Sequence, residues 1–193
     1  MIIGITGGTG CGKTTLLELI HKQGGLVLDC DAIYHQLLKS DPQLLENIQN
    51  HFPGTVTNGQ LDRKKLGEIV FKDHDALLTL NAIAHGAVKQ EVLRQLESRP
   101  ALAAIDAIGL FEGGLAELCQ VTVAVTAPIE QRVERLMKRD NITREYAQTR
   151  INAQRPQEEF VRLCQNHLEN QGTPEQFREK CLAFLGSLGI MEV

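Results

Sequence analysis

The chain has no excess of basic residues: 20 lysines and arginines stand against 24 aspartates and glutamates, a net charge of −4 over 193 residues. A nucleic-acid partner needs a cationic face to neutralise its phosphate backbone, so the composition argues against that class. No apolar run approaches the roughly 20 residues of a membrane-spanning helix. The first residues carry neither the basic n-region nor the cleavage site of a secretion signal. The five cysteines (Cys11, Cys30, Cys119, Cys164, Cys181) never form a C-x-x-C pair. Their odd number and scattered spacing fit neither a disulfide framework nor a zinc site, and a reducing cytosol is the expected home. Internal repeats and low-complexity tracts are also missing. What remains is ordinary for a soluble protein, with 42% hydrophobic and 23% charged residues. The length suits a single domain over residues 1–193, with room for a small inserted subdomain.

Against this plain background one segment is distinctive. Gly7 to Thr14 reads Gly-Gly-Thr-Gly-Cys-Gly-Lys-Thr, a complete G-x-x-x-x-G-K-[ST] phosphate-binding pattern. The apolar run Ile2 to Ile5 precedes it as a strand, and Leu16 to Ile20 follows it as a helix. Glycines let the backbone wrap an anion without side-chain clashes. The turned N–H groups and the helix N-terminus then supply partial positive charge. Gly8, Thr9, Gly10, Cys11, Gly12, Lys13, Thr14 and Thr15 are the expected nucleotide-binding residues. Lys13 places a point charge near the β- and γ-phosphates, and Thr14 offers a hydroxyl to Mg²⁺. Cys11 occupies a variable position. A helix N-terminus lowers a thiol pKa, which leaves its reactivity open.

Strand-like and helical segments alternate along the rest of the chain. Leu26 to Asp29, Ala101 to Asp106 and Val121 to Val125 read as strands, with His167 to Glu169 as a weaker fifth. Helical patterns fall near 32–39, 42–51, 62–71, 75–98, 129–139 and 174–188. This order predicts an α/β fold: a parallel sheet of about five strands with helices on both faces. Two regions exceed the minimum. Residues 32–99 separate the second and third strands and are nearly all helical, which suggests an insertion covering a second substrate or else structural padding. Residues 139–156 are polar and arginine-rich. Arg132, Arg135 and Arg139 recur at helical spacing and share a face. Such a cluster either clamps phosphates from a lid or is a solvated helix face.

Carboxylates fall where the expected strands end, and ligands of open α/β sheets bind at the carboxyl ends of strands. Asp29-Cys30-Asp31 closes the second strand. One of these aspartates can orient a hydroxyl and accept its proton, hold Mg²⁺ through water, or cap the next helix. Asp106 closes the third strand and has the pattern of a Mg²⁺-directed aspartate. Glu112 follows in a glycine-flanked loop. Motors, switches and kinases all use the phosphate loop. A guanine-reading Asn-Lys-x-Asp stretch is absent, and the short chain with its late arginines points to a small-molecule kinase.

Taken in order, Ile3-Gly4-Ile5-Thr6 with the loop, Leu28-Asp29-Cys30-Asp31, Gly59-Gln60-Leu61-Asp62-Arg63, Ile83-Ala84-His85 and Asp106 with Leu110-Phe111-Glu112 resemble the dephospho-CoA kinase family. The likeness runs from Ile2 to Gly172. It implies a nucleotide-kinase-like fold and transfer of the γ-phosphoryl of ATP to the ribose 3′-hydroxyl of dephospho-CoA, the last step of coenzyme A synthesis. It further implies Asp31 as base or orienter, Lys13 and Arg139 as catalytic partners, and Thr14 and Asp106 toward Mg²⁺. Arg63, His85 and Glu112, with Asp31, would meet the acceptor, while Asn170 and Gly172 would lie near the adenine. Three departures stand out. Gly86 follows His85 where proline is common, the third-strand motif lacks its usual proline before Leu110, and Cys164-Gln165-Asn166 replaces a common Ala-Asp pair.

Overall fold

The computed structural model describes residues 1–190. Its sheet forms where short apolar segments are bounded by turns. β1 (Ile2–Thr6), β2 (Leu26–Asp29), β5 (Ala103–Asp106), β6 (Val121–Thr126) and β7 (Asn166–Glu169) make one sheet in the order β2-β5-β1-β6-β7. β1 pairs parallel with β5 and β6, and β6 pairs parallel with β7. The loop-bearing strand is therefore central. The chain fills one side of it with β2 and β5 before crossing to β6 and β7, which is the strand reversal that marks ligand sites in open α/β sheets. Ile3, Ile5, Ala103, Ala104, Ile105, Val123 and Val125 are fully buried. Both faces of the central strands are covered, as a parallel sheet requires.

The helices are α1 (Lys13–Lys22), α2 (Cys30–Ser40), α3 (Pro42–His51), α4 (Arg63–Val70), α5 (His74–Leu96), α6 (Ile129–Asp140), α7 (Arg144–Asn152), α8 (Gln157–Leu163) and α9 (Pro174–Ser187). Their starts follow sequence logic. Asp29, Asp41, Asp62, Asp73, Thr143 and Thr173 cap α2, α3, α4, α5, α7 and α9 through their side chains. Thr173 and Gln176 complete a capping box. α1 and α9 pack into one core with the sheet, through Leu16, Leu19, Ile20, Phe177, Cys181 and Leu185.

By its internal contacts the chain divides into two compact units. The sheet unit comprises Met1–Leu28, Pro100–Phe111 and Leu115–Val193. The helical unit comprises Asp29–Arg99 with Glu112–Gly114. The helical unit has its own core of Leu38, Leu44, Leu45, Ile48, Phe52, Leu66 and Val70.

Several details differ from the sequence expectation. The second strand stops at Asp29, and helix begins at Cys30 rather than Ala32, so Asp31 lies in the first helical turn. The reason is the Asp29 carboxylate, which accepts from the Ala32 N–H at 3.0 Å and starts the helix early. The segment between α3 and α4, in a stretch expected to be nearly all helical, contains a two-residue antiparallel ladder, β3 (Val56–Thr57) with β4 (Gln60–Leu61). Its turn places Asn58 and Gly59 at positive φ, the Asn-Gly signature of a tight hairpin. The polar stretch after Arg139 is structured as α7, whose Ala147 and Ile151 pack on Val133 and Leu136 of α6. The weak fifth strand does form. Gln165 and Asn166 tie it to β6: Gln165 Oε1 accepts from Thr122 N at 2.9 Å, and Gln165 N donates to Thr122 Oγ1 at 3.0 Å.

Candidate active site

The site begins at the break between β1 and α1. Gly12 takes φ 91° as the residue before α1, a left-handed conformation that favours glycine. α1 starts at Lys13 with no acidic residue in its first turn, so its N-terminal dipole is not offset by a nearby carboxylate. Lys13 Nζ donates to Gly7 O at 2.9 Å, folding the side chain back over the loop. The same ammonium lies 3.7 Å from the Asp106 carboxylate. The register explains this meeting: Asp106 pairs with Ile5, one residue before the end of β1. Thr14 is exposed in the first turn of α1.

The outer side of the loop is held by side chains from α6 and from the ends of α7 and β7. Arg132 is 3% exposed and donates from Nε to Thr9 O at 2.9 Å. Arg135 donates to Gly10 O at 3.1 Å and to Cys11 O at 3.4 Å. Asn170 is buried, donates from Nδ2 to Cys11 O at 2.8 Å and accepts from Arg135 at 3.2 Å. Gln154, just beyond α7, accepts from Thr9 N at 2.8 Å and from Arg132 Nη2 at 3.3 Å. The loop lies so close to α6 that a Cβ on Gly8 would collide with the Arg132 guanidinium. Position 8 is thus glycine for packing against an arginine as well as for wrapping an anion.

Cys11 is buried, and its Sγ donates weakly to Gln157 Oε1 at 3.6 Å. Burial pushes the thiol pKa up, against the downward pull of Arg132, Lys13 and Arg135. Desolvation outweighs the cations. The thiol stays protonated, which answers the reactivity left open by its place near a helix N-terminus.

The remaining candidates divide by unit. Lys13, Thr14, Asp106, Arg139, Asn170 and Gly172 belong to the sheet unit, whereas Asp31, Arg63, His85 and Glu112 belong to the helical unit. Asp31 and Arg63 are exposed in the first turns of α2 and α4. His85 is half-buried on α5, and burial lowers its pKa below the ordinary histidine value. Burial pushes the Tyr34 phenol pKa up, with nearby Arg63 pulling weakly against it. Arg139 sits in the last turn of α6, with 59% of its side chain exposed, and pairs with Asp140 through Nε at 2.7 Å and Nη2 at 2.9 Å. Arg150 reaches the same carboxylate. The shared helical spacing of the arginines thus hides a division of labour. Arg132 and Arg135 serve the loop backbone, and Arg139 faces Asp140. Gln154 and Gln157 had no sequence signal, because a lone glutamine just past α7 and another at the first position of α8 follow no period.

The matches to known proteins agree with this architecture. A family model described as dephospho-CoA kinase matches residues 1–176. A dephospho-CoA kinase of Thermus thermophilus is 35% identical over 189 residues, covering 97% of this chain and 92% of that protein. That of Geobacillus kaustophilus is 34% identical over 198 residues, covering 100% and 98%. Among solved structures, TT1252 from Thermus thermophilus superposes with a TM-score of 0.79 at 36% identity, covering 97% of each chain. The dephospho-CoA kinase of Campylobacter jejuni gives 0.67 at 26% identity, covering 97% of this chain and 96% of that one. A shikimate kinase from Acinetobacter baumannii, with a TM-score of 0.52 at 20% identity over 97% of this chain and 93% of that one, shares the fold. With a buttressed phosphate loop on the central strand and these matches along nearly its whole length, the chain belongs to the dephospho-CoA kinase family of ATP-dependent kinases.

Proposed function

We propose that this chain transfers the γ-phosphoryl group of ATP to the ribose 3′-hydroxyl of dephospho-CoA, giving coenzyme A and ADP. The observation that carries the reading is the loop itself, with Lys13 at its mouth beside Asp106, in a member of this family. Phosphoryl transfer through a loose transition state needs positioning and charge neutralisation more than a strong base. In this reading Lys13 and the inward-turned loop amides, those of Gly10 and Gly12 among them, hold the β- and γ-phosphates, while the Thr9 N–H stays with Gln154. Asp31 orients the acceptor hydroxyl and takes its proton. Arg63, His85 and Glu112 bind the acceptor, and the helical unit is the acceptor-binding insertion. Asn170 and Gly172 border the adenine, and the Asn170 side chain supports the loop from outside.

Residues 139–156 act as a lid in this reading, with Arg139 leaving Asp140 to meet the transferring phosphate. Arg139→Ala is expected to lower kcat by roughly two to three orders of magnitude, as loss of an oxyanion-type donor does.

The Thr14 hydroxyl and the Asp106 carboxylate suit Mg²⁺, a hard cation that takes oxygen ligands and completes its shell with phosphates and water. Among the described residues no group of three or more His, Cys, Asp or Glu could hold a metal by itself. Bound there, Mg²⁺ would supply positive charge against the phosphates of the nucleotide. All five cysteines are free thiols, which supports work in a reducing cytosol. Among the described residues no helix is long and apolar enough to cross a membrane.

The test is ADP formation from ATP and Mg²⁺ with dephospho-CoA, AMP, shikimate and gluconate offered separately. The expected result is turnover with dephospho-CoA alone. Equal turnover with another acceptor, or slow hydrolysis indifferent to dephospho-CoA, would overturn the assignment.

A further inference from the structure

Arg132 is buried to 3% exposure, yet among the described residues no acidic side chain pairs with it. The groups it donates to are neutral: Thr9 O and Gln154 Oε1. A buried cation without a counter-ion costs free energy unless something else compensates it. This one is placed directly behind the phosphate loop, with its guanidinium against Gly8.

The peptide geometry says what it does there. A trans peptide is planar, with C=O and the following N–H pointing opposite ways. A donor fixed on Thr9 O from outside the loop therefore turns the Gly10 N–H to the other side. Arg135 and Asn170 do the same at Cys11 O, which turns the Gly12 N–H. A charged donor on a carbonyl also polarises the peptide, so the N–H beyond it becomes a stronger donor. The Cys11 thiol registers the same field, since Arg132 is the strongest of the cations acting on it.

We propose that Arg132 is a positioning residue for phosphate binding. Through the Thr9–Gly10 peptide it presets and polarises the loop, and its unpaired charge is compensated when a nucleotide's phosphate chain arrives. Gln154 completes the device. Its Oε1 holds both the Thr9 N–H and the guanidinium, so the segment that follows α7 locks Arg132 in place. This inference rests on the loop binding a nucleotide and not on the identity of the acceptor.

The experiment measures ADP, tripolyphosphate and adenosine affinities of the full chain by calorimetry or competition, for the wild type and for Arg132→Lys, Arg132→Gln and Arg132→Met. Arg132→Met is expected to lose at least tenfold in affinity for ADP and for tripolyphosphate, with adenosine within twofold of wild type. Its thermal midpoint without nucleotide is expected to hold or rise, because a buried charge has been removed. ADP affinity should fall in the order Arg, Lys, Gln, Met, since Lys keeps charge and Gln keeps only a neutral donor. ADP binding within twofold of wild type in Arg132→Met, or a parallel loss of adenosine, would overturn the proposal. So would Gln matching or exceeding Lys. If Arg132→Met does not fold, Arg132→Gln is read against wild type, with at least a threefold selective loss of ADP required. None of these readouts uses dephospho-CoA, so failure here is distinguishable from a wrong acceptor.

Discussion

At the scale of single residues, the candidate site divides into groups proposed to face ligand and groups that hold the loop backbone. Lys13 and Thr14 stood out in the sequence as candidates because a phosphate loop fixes chemistry and spacing together. Asp31 was legible by type but not by setting. It was expected at a strand end and stands in a helix, because Asp29 caps α2. Its role is open to a direct measurement. Asp31→Asn removes a proton acceptor while keeping its size, so kcat is expected to fall by more than tenfold with little change in dephospho-CoA affinity. A smaller loss at unchanged affinity would remove it from the chemistry. His85 offers a second test. Burial favours its neutral form, so its folded pKa lies below the unfolded value. The stability linked to that shift is fully present above the unfolded value of about 6.5. It is lost as pH falls through the folded pKa. The expected NMR titration has its midpoint below the ordinary histidine value, and saturating dephospho-CoA should raise that midpoint if a phosphate of the acceptor approaches the ring.

At the scale of elements, caps and side-chain ties decide what patterning leaves open. The weak fifth strand is an instance. Asn166–Glu169 has little apolar character, with no buried residue in it, and propensity alone does not select a strand there. Tertiary pairing with β6 does, aided by the exchange of hydrogen bonds between Gln165 and Thr122. Replacing Thr122 by Val leaves the Gln165 N–H without its acceptor. The expected cost is about 1–2 kcal/mol, read by denaturant titration. α7 shows the same limit. Its polar sequence hid a helix whose small apolar face, Ala147 and Ile151, meets α6. At the junction Asp140 holds both Arg139 and Arg150, which keeps its carboxyl well below the usual carboxylate range. That pairing is present above the ordinary carboxyl pKa and is lost only in strong acid.

At the scale of the molecule, the candidates for nucleotide and for acceptor fall in separately packed units with separate cores. The consequence is a mapping experiment. Hydrogen exchange with ADP alone is expected to slow residues 7–15 and 170–172. Exchange with dephospho-CoA alone is expected to slow the first turns of α2 and α4 and the middle of α5. Protection in the opposite units would overturn the assignment of ligands to units. The long helical stretch after β2 was visible in the sequence as too many residues for one crossover. That it carries its own core was not visible, because Leu44, Ile48, Leu66 and Val70 lie on different helices whose packing no local pattern encodes.

Residue order alone was enough for the loop, the five strands of the main sheet and the helices outside residues 141–163, the parallel sheet and, through resemblance, the family. These are local matters of spacing, propensity and residue type, written along the chain. Which cations serve the loop backbone and which turn outward became visible only in the packed fold. Arg132, Arg135 and Arg139 share one spacing on α6, but each meets a different neighbour, supplied by chain more than a hundred residues away or by the last residue of the helix itself. A side chain's role follows from its partners and its burial, and both are settled only when distant segments pack together.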